Sequence, residues 1–98
     1  MHTKKFIAVN EFCTRHDIDI TFISALHQHG LIELTTTREI SFIAAEQLHQ
    51  IEKFINFHYG MDINMEGIET ISWLLNRMDL MHDEITALRN RLRLYESD

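Results

Sequence analysis

Proline is absent from these 98 residues, glycine occurs three times and cysteine once. So few chain breakers exclude linkers and loop-rich all-β folds, and leave room for long uninterrupted helices. A single thiol, Cys13, cannot form an internal disulfide, and no apolar segment marks the N-terminus, so the chain reads as cytoplasmic. No apolar run approaches the roughly 18 residues that span a bilayer. Basic residues are also scarce. Nine Lys and Arg face fifteen Asp and Glu, a net charge of -6. Coating nucleic acid requires cations to neutralise phosphates, so this balance argues against it and favours a basic protein surface as partner. With 45% hydrophobic and 24% charged residues, the composition is that of an ordinary folded domain.

Catalytic signatures are missing as well. There is no Gly-rich phosphate loop, no G-x-S-x-G and no HExxH. Glu66 with Glu69, and Asp79 with Asp83, are carboxylate pairs of the kind found on any solvated helix face, and no pocket-forming sequence accompanies them. Cys13 and His16, with His27 and His29 nearby in sequence, have metal-ligand chemistry. However, Cys13 falls on an apolar helix face, and side chains two apart on a helix diverge. No enzyme activity, metal or other cofactor is expected.

The residues present describe a mainly helical chain. Residues 5–8 suit a short strand or an extended lead-in. Asn10 can cap a helix to about His16, with Phe12 and Cys13 inward and Val9 at its start. After the turn at residues 17–19, Asp19 or Thr21 can cap a second helix over about 20–29, closed by Gly30 in a left-handed conformation. Residues 31–34 and 40–43, flanking a polar loop at 35–39, predict a small two-stranded wing. A third helix is expected over about 44–59, with Leu48, Ile51, Ile55 and Tyr59 at helical spacing. Gly60 ends it. Asp62 or Asn64 then starts a last helix running without a break from Glu66 to Ser97. The domain division is therefore 1–62 for the winged-helix part and 63–98 for the long helix, as one structural unit.

The last helix carries the strongest pattern. Ile71, Met78, Ile85 and Leu92 occupy heptad position a, and Leu74, Met81, Leu88 and Tyr95 occupy d. A stripe with period 3.5 over four heptads predicts helix pairing, here a homodimer. In a parallel pair, Glu84 would face Arg89 and Arg91 would face Glu96. Packing back on the chain's own domain accounts for residues 68–78, where Trp73 and Leu75 broaden the apolar face. It accounts poorly for residues 85–95. The methionines leave the stripe open to a different helix as well.

Helix, turn, helix, wing, helix and long helix is the layout of the MerR-like winged helix-turn-helix. The chain resembles it in Val9-Asn10-Glu11-Phe12-Cys13, in His29-Gly30-Leu31-Ile32 and in the run from Phe42 to Leu48. It departs from a DNA reader in charge. Between Ile20 and Ile32 there is no Lys, Arg, Asp or Glu, and the wing offers only Arg38 beside Glu39. From Glu11 to Glu52, two basic residues (Arg15, Arg38) face seven acidic ones: Glu11, Asp17, Asp19, Glu33, Glu39, Glu46 and Glu52. Base edges and phosphates require the opposite balance.

One branch of this superfamily fits better. Across nearly its whole length the chain resembles the chaperone-modulator (CbpM-like) family. The residues that carry this are Ile7 to Cys13, Met61 to Ile68, and Met81 to Leu94 with Ile85, Leu88 and Arg89-Asn90-Arg91-Leu92. Order and length are the signal rather than one motif, and the proline that some relatives have before Gly67 is absent. The resemblance implies binding to the J-domain of a DnaJ/CbpA-like co-chaperone, which blocks its engagement with a DnaK-type chaperone. The DnaK-facing helix of a J-domain is basic, so Asp17, Asp19, Glu33 and Glu39 are expected to supply charge, with Phe22 and Leu34 as apolar anchors. The rival readings are a dimeric MerR-type transcription regulator on operator DNA, and a dimerisation adaptor for an unrelated partner.

Overall fold

The structure, a computed structural model, describes residues 5–96; the expected helix end at Ser97 lies outside them. A short strand β1 (Phe6–Ala8) passes directly into helix α1 (Val9–His16). Ala8 is therefore the N-cap, not Asn10. Helix geometry starts two residues earlier, with Val9 buried in the core, and Asn10 falls in the first turn, where its carbonyl accepts the Thr14 hydroxyl at 2.9 Å. Asp17 ends α1 in the left-handed region at φ 52°. This geometry lets the Ile18 N–H reach the Cys13 carbonyl at 3.0 Å, and Asp tolerates it better than most residues.

Helix α2 (Ile20–Gln28) begins after Asp19, whose extended backbone is that of an N-cap, although its side chain makes no capping bond. Gly30, at φ 74°, closes the helix, and the following Leu31 N–H returns to the Leu26 carbonyl at 2.9 Å.

The hairpin lies further along the chain than the hydrophobic pattern suggests. Strands β2 (Thr35–Thr37) and β3 (Ile40–Ala44) pair antiparallel with Thr37 opposite Ile40. The turn is thus only Arg38-Glu39, at φ 51° and 66°. Two consecutive positive values match the tight hairpin turn whose twist suits the strands on either side. Residues 31–34 are not a strand. Ile32 is buried there, and the Gln47 side chain takes the place of a neighbouring strand. Its carbonyl accepts the Glu33 N–H and its amide donates to the Glu33 carbonyl, both at 2.7 Å. The sheet also has three strands rather than two, in the order β1-β3-β2, with Phe6 opposite Ala44.

The third helix is not uniform. A 3₁₀ turn (Ala45–Gln47) precedes α3 (Leu48–Ile55), which widens into a π turn (Asn56–Gly60). The Met61 N–H reaches back five residues to the Asn56 carbonyl at 3.1 Å. Widening shifts the phase of the side chains. Ile51 and Phe54 are buried, whereas Tyr59, expected on the apolar face, is 49% exposed.

Asn64 caps α4 (Met65–Glu96) by accepting the Gly67 N–H at 2.9 Å. Gly67 fits the close approach there, since a Cβ would lie 2.7 Å from the Ile63 methyl carbon and 3.1 Å from the Asn64 oxygen. The core gathers Val9, Phe12 and Cys13 from α1, Phe22, Ile23 and Leu26 from α2, with Ile32, Ile43, Ile51 and Phe54. Helix α4 adds Ile68, its one buried residue, and the half-buried Met65. Of the two residues expected to broaden the packed face, Trp73 is 62% exposed and Leu75 is half-buried. The radius of gyration is 18.2 Å, against about 13 Å for a compact domain of similar length.

Candidate functional site: a groove between the second helix and the hairpin

A winged helix presents its second helix and its hairpin on one side, and here a groove lies between them. Val9, Asn10, Ile20, Ser24, Leu34, Glu39, Ile40 and Ser41 line a volume of about 190 Å³. Local folding puts each in place. Ile20 opens α2 and, being in its first turn, is left 47% exposed. The two-residue turn aligns Glu39 and Ile40 at the base of β3, and Ile40 is 50% exposed. Leu34 is held at the groove by the clamp of Gln47 on Glu33.

Of the expected partner-binding residues, Leu34 and Glu39 line this groove. Asp19 and Glu33 are exposed, each adjacent in sequence to a lining residue (Ile20 and Leu34). Asp17 is exposed in the α1–α2 turn, outside the lining. Phe22 is not a surface anchor. It is 5% exposed, and its ring stacks on His58 at 4.8 Å and meets Tyr59 edge-on at 5.4 Å. The His58 Nδ1–H donates to the Ile63 carbonyl at 2.8 Å and holds the ring in this stack. Three-and-four spacing alone did not reveal which apolar residues of α2 point inward. Ile20 and Ile40 escaped notice as site residues because an isolated isoleucine in sequence looks like core.

The face is poor in positive charge. On α2 the exposed residues are Ile20, Thr21, Ser24, His27 and Gln28, followed by exposed His29 at the C-cap. Arg15 is engaged with Glu11 at 3.1 Å, an exposed pair within one helix. Cys13 is buried, and its thiol is held above its ordinary pKa by burial first and by the Asp19 carboxylate second. His27 is turned toward the Ile32 carbonyl (3.3 Å) and His29 toward Glu69 on α4 (2.9 Å). No group of three or more His, Cys, Asp or Glu among the described residues is placed to hold a metal ion.

A second surface lies along α4. Leu74, Met78, Met81, Ile85, Leu88, Leu92 and Tyr95 of the heptad stripe are all at least 47% exposed. Ile71, nearest the domain, is half-buried. No helix of the described residues is long and apolar enough to cross a membrane.

The sequence pattern of the family described as MerR HTH family regulatory protein matches residues 7–90. No curated protein and no solved structure matches the chain.

Proposed function

The chain belongs to the MerR HTH family of regulatory proteins, and from that premise we propose that it regulates without catalysis, by binding the J-domain of a DnaJ/CbpA-like co-chaperone and keeping it from a DnaK-type chaperone. The observation that carries this reading is the character of the α2–hairpin face. Where a DNA reader needs Arg, Lys, Asn or Gln, α2 offers Ile20, Thr21 and Ser24, with no formal charge from Ile20 to Ile32. The exposed acids Asp19, Glu33 and Glu39 surround or adjoin the groove. Such a face repels phosphates and suits the basic helix of a J-domain. The resemblance to chaperone modulators over most of the chain points to the same partner.

Self-association belongs to this proposal. The exposed stripe on α4 would be covered by a second copy, giving a homodimer with two winged-helix domains. Family membership supports a second reading, operator DNA bound by the dimer.

An assay of a DnaK-type ATPase stimulated by its J-domain protein separates the two. Suppression of the stimulated rate, with the basal rate untouched, is the expected result. An unchanged stimulated rate, together with retention of a specific duplex in a gel-shift assay, would replace the co-chaperone reading with the DNA one.

A further inference from the structure

The groove between α2 and the hairpin has a size and chemistry that narrow what it can hold. At about 190 Å³ it is smaller than the roughly 300–1,000 Å³ typical of pockets for cofactors and drug-sized ligands. One large side chain fills such a volume. Its apolar walls are Val9, Ile20, Leu34 and Ile40, of which Val9 is buried and Ile20 and Ile40 are about half exposed. Its polar lining comes from Asn10, Ser24, Ser41 and Glu39, none of them cationic. Glu39 is the one charged residue of the lining, and Asp19 and Glu33 are exposed residues next in sequence to Ile20 and Leu34. An anionic ligand is disfavoured at such a place, and a neutral apolar one leaves the Glu39 carboxylate without a partner.

We propose that this groove seats one apolar side chain projecting from a basic amphipathic helix, with a Lys or Arg one turn away meeting Glu39. The inference rests on the reading of the face as a protein-binding surface and adds its anchor and its charge pattern. Residues three or four apart on a helix share a face, so a central Leu, Ile or Phe with cations at those spacings places all contacts on one side of the incoming helix. The apolar anchor supplies the hold, while the rim charges orient the helix and speed its arrival.

The test uses the full chain, ¹⁵N-labelled, and a synthetic helical Leu/Lys peptide with one central leucine. Titration is expected to shift the amides of Ile20, Ser24, Leu34, Ile40 and Ser41 first. Changing the central leucine to alanine, or Ile40→Arg in the protein, should each weaken binding at least tenfold. Ile40 is half exposed, so circular dichroism is expected to show the variant folded. The conservative I40V variant should bind almost as the parent does. Shifts confined to α4 or to the far side of the domain, or equal binding of the leucine and alanine peptides, would overturn the proposal. A J-domain titration in parallel keeps the two readings apart. J-domain binding that Ile40→Arg leaves intact would contradict the groove while sparing the co-chaperone reading. Peptide seated in the groove with no J-domain binding would do the reverse.

Discussion

Single residues decide which parts of α2 face a partner. Phe22 is a buried core residue whose ring stacks on His58, so its loss should be felt as stability. Phe22→Ala is expected to cost about 3–5 kcal/mol, read as a lower denaturant midpoint. The folded fraction should bind its partner with unchanged affinity. A variant of full stability and weakened binding would return Phe22 to the surface. Cys13 tests the same core from the other side of α1. Its thiol is buried and held above its ordinary pKa by burial and by Asp19, so less of it is thiolate and little of it is reachable. Alkylation by iodoacetamide should be slow in the native protein and fast in denaturant. A native proton held this tightly also has a sign in stability. Its contribution is fully present below the ordinary thiol pKa and is lost as pH rises through the raised native value. Rapid native alkylation near neutral pH would contradict the burial of this face.

At the scale of elements, the hairpin combines a structural cost with a charge in the groove lining. Arg38 and Glu39 both adopt positive φ, where Asn-Gly is at ease. Replacing the pair by Asn-Gly should raise the melting temperature while weakening partner binding, because the Glu39 carboxylate leaves the groove. Stability and affinity moving together would indicate that Glu39 serves the turn alone. This hairpin also shows where sequence reading stopped. The apolar residues at 31, 32 and 34 have the look of a strand, yet the Glu33 backbone pairs with the Gln47 side chain fourteen residues on. Nothing local announces that long-range pairing. Gly30 and the apolar face of α1 were legible because left-handed closure and helical spacing are local properties. So were Asn64, as one of two candidate caps with Asp62, and the heptad stripe. The π turn was not, since a widened turn shares its residue preferences with an α-helix, and it leaves Tyr59 half exposed with its ring edge-on to Phe22. Of the residues expected at a binding face, Leu34 and Glu39 line the groove. Ile20 and Ile40 needed the third dimension.

For the whole molecule, the account joins an acidic winged-helix face to an arm that extends away from it. Helix α4 leaves the domain soon after Ile71, and its apolar stripe faces solvent in the single chain. Ile85→Asp would put a charge in the middle of that stripe and should convert a dimer to monomers by light scattering. An unchanged mass would remove the stripe from self-association. The central claim is that the α2–hairpin face grips a basic J-domain rather than DNA. The most direct measurement is a calorimetric titration with a purified J-domain at low and at moderate salt. The account predicts binding at both, weaker at the higher salt because screening diminishes the contribution of Asp19, Glu33 and Glu39. Absence of binding at either salt would contradict it.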